Sequence, residues 1–502
     1  NHSTVYQLVD IYHHICQTLD QKQISCMVFC DISKAFDRVW HKGLLFKLAQ
    51  NGIQGKLLEW FTSYLQNRQQ RTVIQSGVST TQTVTAGVPQ GSVLGPLLFL
   101  IYVNDITESL ISLTRLYADD SSLYCSASSI QDIEGLLNHD MHQISFWAKQ
   151  WLVDFNPNKT EAMFFTLRNE QALPKLLFNN TEINFVDNHK HLGLTINSNG
   201  QWSTHIENIL VSASKVLNIM RKLKFKLSRS ALNQIYISYV RPLLEYASIV
   251  WDGCNTNDSD SLEKLQNEAA RIVTGLTRSV SLNNLYNECC WEPLSKRREN
   301  QKLCFMYKAT HGMTPSYIND IIPPTVGEVS TYPLRNRENL SAIHTRTTLF
   351  QKSCIPSSLK LWNTTDTDTR ESNTFGCFKN SIQLNRNTKR VPNHYVNGTR
   401  YLSVLHARIR NSCSNLNEDL YDNHLRLDPF CICSQVNESA EHYFFHCENY
   451  TEQRLNLFRT ARGLHPLNLD KLLVGDPTIS QDENMHLFNT VQQFIKETKR
   501  FN

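Results

Sequence analysis

Leu113-Thr114-Arg115-Leu116-Tyr117-Ala118-Asp119-Asp120-Ser121-Ser122-Leu123-Tyr124-Cys125 places two adjacent carboxylates between two short apolar runs. Residues 113–118 and 123–125 read as strands joined by a tight acidic turn, a hairpin that holds the carboxylates at a rigid tip. Like charges held that close call for a cation between them. Upstream, residues 24–30 form an apolar run short enough for a buried strand, and Asp31 closes it at the carboxyl end. Two acidic strand ends on one sheet suggest a divalent metal site.

Composition permits a catalytic domain without indicating one. The chain has 502 residues with 41% hydrophobic content, enough for two or three globular cores. Fifty Lys and Arg stand against 46 Asp and Glu, a net charge of +4, so nucleic-acid contact has to come from local basic patches. Fourteen scattered cysteines do not resemble the disulfide framework of a small secreted domain, which favours a reducing compartment. The longest apolar run, residues 93–103, is about half the ~20 residues that cross a bilayer, and no signal segment is visible. Neither an intramembrane segment nor a membrane partner is expected.

The rest of the first 200 residues alternates helix and strand. An amphipathic stretch over residues 5–19 precedes the strand that ends at Asp31. Leu44, Leu45 and Leu48, then Gly52, then Leu57, Leu58, Phe61, Tyr64 and Leu65 give a helix pair with glycine at its joint. Residues 71–75 and 82–85 flank Ser76-Gly77-Val78-Ser79 as a hairpin, which leads into Ala86-Gly87-Val88-Pro89-Gln90-Gly91-Ser92 and an apolar helix from Leu97. Glycines at that density let backbone approach a ligand. Ile133, Leu136, Leu137, Ile144, Trp147, Ala148 and Trp151 mark a long helix, stopped by Asn156-Pro157-Asn158 before a strand over residues 161–167. A further strand is expected over residues 191–196, and residues 206–251 read as helical. This order predicts an α+β fold on a mostly antiparallel sheet backed by helices.

Residues 31–196 resemble the reverse transcriptase of non-LTR (LINE-type, jockey-like) retrotransposons. Asp31-Ile32-Ser33-Lys34-Ala35-Phe36-Asp37 looks like the first palm motif, Gly87-Val88-Pro89-Gln90-Gly91-Ser92 the second and Tyr117-Ala118-Asp119-Asp120 the third, in the family's order and spacing. Residues 151–160, with Asn156 and Lys159, look like the fourth, and His191-Leu192-Gly193-Leu194 like the primer-grip turn.

The resemblance implies an RNA-directed DNA polymerase with a right-hand fold: a palm with partial fingers over residues 1–200, a helical thumb and connection over 201–320, a linker of unknown role over 321–400, and a C-terminal region over 401–502. Two Mg²⁺ ions, or Mn²⁺, would sit between Asp31 and Asp119, with Asp120 supporting the site. Phe36 would be the steric gate against a 2′-hydroxyl. Ile32, Gln90, Gly91 and Tyr117 would line the nucleotide site, and Lys159 would protonate the leaving pyrophosphate. Lys34, Asp37 and Arg38 are read as structural or phosphate-facing. The implied partners are an RNA template, a DNA primer or target, and deoxynucleoside triphosphates, in target-primed reverse transcription in the nucleus after a cytoplasmic ribonucleoprotein stage.

A second constellation is Cys431-Ile432-Cys433, then His442 and Cys447. Three thiolates and an imidazole at this spacing suggest a closed structural Zn²⁺ site, a knuckle, with Cys413 and His446 as alternative ligands. Arg408, Arg410 and Arg454 would add positive charge there. Lys215, Arg221, Lys222, Lys224 and Lys226 punctuate the apolar spacing of the thumb. Pro333-Leu334-Arg335-Asn336-Arg337 and Leu361-Trp362-Asn363 are also family-typical, with no chemistry attached.

The chain opens on Asn1 directly in a helical pattern, which predicts an N-terminally truncated piece whose family would place finger strands and an endonuclease upstream. Two other readings are a decayed or domesticated copy that only binds nucleic acid and a maturase-like protein of group II introns. The intact Asp31, Phe36, Gln90 and Asp119 argue against decay.

Overall fold

Seven buried residues ahead of Asp31 make Ile24–Asp31 the middle strand of a five-stranded sheet. The order across the sheet is Asn184–Phe185, Glu161–Phe165, Ile24–Asp31, Asp120–Ala127, Leu113–Tyr117. Every pairing is antiparallel except the short edge pair of Asn184–Phe185 with Glu161–Phe165. The computed structural model describes residues 2–75, 77–168, 172–330, 332, 336–382, 391–434, 436–461 and 467–501. Of the sequence features above, Ser76 and the Pro333-Leu334-Arg335 part of the family-typical stretch lie outside the described residues.

The chain packs as two units, Asn1–Thr204 with Lys308–Asn363 and His205–Tyr307 with Thr364–Asn502. In the first, the central strand is buried on both faces because its side chains alternate. Ile24, Cys26, Val28 and Cys30 join a core with Leu44 and Leu48 of helix His41–Gln50, Leu98 and Tyr102 of helix Gly95–Val103, and Ile133, Leu137, Met141 and Ile144 of helix Ile130–Gln150. That last helix is capped by Ser129, whose hydroxyl accepts from the Asp132 amide at 3.2 Å. Its buried Asp140 takes the amides of Ile111 and Ser112 at 3.0 and 2.8 Å, which fixes the entry of the acidic hairpin. Helix Thr4–Asp20 is tied to the same hairpin, with Thr18 hydrogen-bonded to Tyr124 at 2.7 Å and Arg115 paired with Asp10 at 2.7 Å. The fold is therefore α+β, with helices and a mixed, mostly antiparallel sheet.

Two expectations need correction. Asp120 is not in the turn: it is the first residue of strand Asp120–Ala127 and pairs with Tyr117, leaving Ala118 and Asp119 as the two-residue tip. Ala118 has φ +54°, the left-handed conformation such tight hairpin turns demand. The strand expected over 191–196 is a hairpin, Asn188–His191 against Leu194–Asn197, because Leu192 and Gly193 both take positive φ. The hairpin over 71–85 forms as two short ladders, Gln69–Gln70 with Gln82–Thr83 and Val73–Ile74 with Gly77–Val78.

The second unit is helical among its described residues, with long helices Thr256–Thr274, Arg400–Arg410 and Gln481–Glu497. Its C-terminal core joins Leu405, Ile409, Tyr443, Phe444, Leu487, Val491 and Phe494. Buried Glu288 bonds both Arg229 and Arg410 at 2.6 Å. Burial opposes its charge, but the two guanidiniums hold its carboxyl at about 2. No described helix is long and apolar enough to cross a membrane.

Candidate active site

Antiparallel register puts Asp31 directly opposite Asp120, and Phe29 opposite both Ser122 and Glu161. Residues paired in this way point to the same face, so the carboxyl end of the central strand carries Asp31 beside Asp120 on one side of the sheet. Asp119 is the exposed tip residue next to them. The backbone beyond Asp31 is fixed by a bridge to the turn after the long helix. Ser33 N–H donates to the Asp154 carbonyl at 2.8 Å and Asn156 N–H to the Asp31 carbonyl at 2.9 Å. Arg38 and Asp154 form an ion pair across the same junction. The Ser33 amide is thus committed to protein and is not available to a phosphate.

A cavity of about 500 Å³ opens at this strand end. It gathers Asp31, Ile32, Phe36, Gln90, Asp119 and Lys159 of the sequence-predicted site. Asp120, Gly91 and Tyr117 are not among its lining residues, although Tyr117 is 39% exposed at the base of the tip. Lys159 lies 3.5 Å from the Asp31 carboxylate. Phe36 is half-buried, its ring 4.6 Å from that of Phe99.

The glycine-rich loop is strapped to the segment after Asp31. Gly87 N–H donates to the Val39 carbonyl and Val88 N–H to the Phe36 carbonyl, both at 2.8 Å. Gly87 has φ +93°, and a Cβ there would stand 2.7 Å from the Asp37 carbonyl oxygen, so only glycine allows this approach. The Gln90 amide donates to the Asp37 carboxylate at 2.8 Å. Asp37, which the sequence assigned only a structural or phosphate-facing part, positions Gln90, and Asn156 lines the cavity too. The spacing of Asp37 to Asp31 carries no sign of the first contact, because Gln90 comes 53 residues later.

Electrostatics at the strand end are those of an acidic site that Lys159, beside Asp31, compensates only in part. Desolvation, then Asp119, then Asp31 push the Asp120 carboxyl above the ordinary carboxylate range, with His189 acting against them. The donors are carboxylate oxygens, the hard ligands that suit Mg²⁺ or Mn²⁺. Asp31, Asp119 and Asp120 thus offer the type of donor that such a metal takes.

In the second unit Cys431, Cys433, His442 and Cys447 offer ligand atoms that all lie within 4.8 Å of one another. The Cys431 and Cys447 sulfurs are 3.7 Å apart, and the Cys433 sulfur is 3.2 Å from His442 Nε2. Such a group can hold a metal ion. Burial pushes the Cys447 thiol up to about 12, whereas the Ser434 hydroxyl draws the Cys433 thiol down. Cys413 packs instead in an apolar cluster with Leu276 and Leu285, and His446 is exposed, so neither joins the set. Arg410 is buried on Glu288, and Arg454 is buried with bonds to the Phe444 and Cys447 carbonyls. Their charge stabilises the fold and does not face a solvent-borne strand. Lys215, Arg221, Lys222 and Lys226 are exposed.

Residues 2–196 match the family model described as reverse transcriptase (RNA-dependent DNA polymerase). The probable RNA-directed DNA polymerase from transposon X-element of Drosophila melanogaster is 30% identical over 295 residues, 57% of this chain and 32% of the relative. The corresponding protein of transposon BS is 28% identical over 302 residues, 57% of this chain and 33% of the relative. A Pol polyprotein from type-1 retrotransposable element R1 of Bradysia coprophila is 22% identical over 84% of this chain and 40% of its own length. The chain spans about a third of the length of the two Drosophila relatives. With the acidic strand ends, the glycine-rich loop and these matches together, residues 2–196 carry a reverse transcriptase domain similar to those of non-LTR retrotransposon polymerases.

Proposed function

We propose that this chain is the polymerase part of a non-LTR retrotransposon enzyme that adds deoxynucleotides to a DNA primer on an RNA template. The observation that carries the reading is the single cavity that joins Asp31 and Asp119 to Phe36, Gln90 and Lys159. Asp31 and Asp119 would hold divalent metal, with Asp120 in support. When bound, the ions supply activation of the primer 3′-hydroxyl and neutralisation of triphosphate charge. The protein's share is positioning and electrostatics. Phe36, braced by Phe99, closes the space a 2′-hydroxyl would occupy. Gln90, held by Asp37, contacts the incoming nucleotide or the template base. Lys159, beside Asp31, donates a proton to the leaving pyrophosphate.

The Cys431, Cys433, His442 and Cys447 set is assigned to structural Zn²⁺. Tetrahedral coordination with zinc–sulfur bonds of about 2.3 Å gives sulfur–sulfur edges of about 3.8 Å, and the Cys431–Cys447 separation is 3.7 Å. Template, primer or target DNA and deoxynucleotides are the proposed partners, and the nucleus the proposed place of action. Asp119→Asn in a purified protein carrying this chain is expected to abolish Mg²⁺-dependent extension of a DNA primer on RNA. Retained extension would refute the assignment.

A further inference from the structure

Helix Gly55–Leu65 is apolar on more than the face it needs. It buries Phe61 and Leu65 and packs Leu58 and Tyr64 against the core, yet leaves Leu57 52% and Trp60 49% exposed. A helix on the surface of a soluble unit ordinarily turns charge, not tryptophan, to the solvent. From Trp60 three groups follow at intervals of four residues, with the half-buried Tyr64 between the exposed Trp60 and Arg68. The Trp60 and Tyr64 rings stack with centroids 5.5 Å apart and planes 13° from parallel. The Arg68 guanidinium lies 5.4 Å from the Tyr64 ring centroid, with the Tyr64 carbonyl at 3.5 Å as its hydrogen-bond partner. Asn67, at φ +55°, turns the chain so that Arg68 stays over the helix end.

The surface around this ladder is basic. Residues 55–75 carry Lys56, Arg68 and Arg71 against Glu59 alone, and among the described residues none of the three cations has a carboxylate partner. The ladder also adjoins the proposed active site through the backbone. Val84 N–H donates to the Arg68 carbonyl at 2.8 Å, and three residues later Gly87 packs on Asp37.

We infer that Trp60, Tyr64 and Arg68 form a stacking platform for unpaired bases of single-stranded nucleic acid, the template strand outside the primer duplex. Aromatic faces interleaved with unpaired cations are the chemistry that grips a single strand without reading its sequence. The Trp60 and Tyr64 rings are 5.5 Å apart and Arg68 lies 5.4 Å from the Tyr64 ring, separations within the reach of one nucleotide in an extended strand. The alternative, an i,i+4 contact that merely supports the helix, gives no reason for the exposed tryptophan or the uncompensated charge. The inference names the strand bound near the proposed polymerase site and so rests on that reading.

The test uses the whole chain with a 12-nucleotide oligo(U) RNA, a blunt duplex, and an RNA template carrying a 5′ overhang beyond a DNA primer. Trp60→Leu keeps an apolar side chain and removes the π-face, Trp60→Phe restores a ring, and Tyr64→Leu removes the second rung. Affinity for oligo(U) and for the overhang substrate is expected to fall about tenfold with Trp60→Leu, to recover mostly with Trp60→Phe, and to stay unchanged for the blunt duplex. Unchanged oligo(U) affinity in both Leu variants with unaltered melting temperature overturns the inference, as does an equal loss on the blunt duplex. Primer extension by the unmodified chain is scored separately, so failure of the polymerase reading shows as no extension whatever the ladder variants do. Trp60 is far enough exposed that its replacement leaves the core intact, which keeps the binding readout interpretable.

Discussion

The proposed carboxylate metal site and the Cys/His cluster are built on opposite plans. In the first unit, carboxylate oxygens from a strand end and a hairpin tip meet at an open cavity, and Asp119 and Asp120 are exposed. In the second, Cys431 and Cys447 are buried, and four ligand atoms lie within 4.8 Å of one another. Hard oxygen donors with room beside them leave coordination positions for a substrate, whereas four soft donors close a tetrahedron and leave none. The difference teaches that, on the proposed reading, the open oxygen site would serve chemistry and the closed sulfur and nitrogen cluster would serve folding.

That contrast breaks most sharply if the two sites can be made to exchange phenotypes. Asp119→Asn is expected to lower primer-extension rates by about 10³-fold or more with an unchanged thermal midpoint. Cys447→Ser, or treatment with a zinc chelator, is expected to destabilise the C-terminal part of the second unit, read as protease cleavage within residues 401–502 and lost zinc stoichiometry, because structural zinc contributes directly to folding. A fold that survives loss of Cys447 unaltered would place the cluster outside the structural class.

Smaller effects sharpen the open site. Phe36→Val is expected to relax discrimination against ribonucleotides by about tenfold in kcat/KM while retaining most deoxynucleotide incorporation, compared under single-turnover conditions with each triphosphate. Gly87→Ala forces its new Cβ onto the Asp37 carbonyl oxygen, 2.7 Å away. The Gln90 contact should loosen, and KM for nucleotide should rise several-fold with little change in primer affinity.

The smallest effect concerns Asp120. Its folded carboxyl is raised, so the folded state holds the proton more tightly than the unfolded chain and stability falls as pH rises past the ordinary carboxylate range. Asp120→Asn should therefore raise the thermal midpoint slightly at pH 7–8, the gain vanishing below about pH 4 and also when Mg²⁺ supplies the counter-charge. A lower midpoint at pH 8 without metal would contradict the reading of crowded carboxylates at the strand end.

Much of the first unit was legible because its signals are local. The apolar run before Asp31 is a strand since seven successive side chains find cover, and the acidic hairpin turns where Ala118 accepts a positive φ. Boundaries were less legible: Asp120 joins its strand because it pairs with Tyr117, a fact of register that no composition reveals. Residues 191–196 alternate like one strand, and only the consecutive positive φ values at Leu192 and Gly193 fold them into a hairpin. At the site, the acidic strand ends singled out Asp31 and Asp119 and the family resemblance singled out Gln90, and all three line one cavity. The Asp37–Gln90 bond and the inward burial of Arg410 and Arg454 depend on contacts distant in sequence. Arg410 and Arg454 were misread as surface charge for the same reason, since a sequence shows a charge but not the carboxylate or carbonyl that meets it.

The central claim is that Asp31 and Asp119 act as one site for RNA-templated DNA synthesis. The direct measurement is Mg²⁺-dependent, single-turnover extension of a DNA primer on an RNA template by the unmodified protein, Asp31→Asn, Asp119→Asn and the double variant. Residues that act as a unit give non-additive losses, so each single substitution is expected to cost about as much as the pair. Losses that multiply in the double variant, or extension that survives either single substitution, would contradict the account.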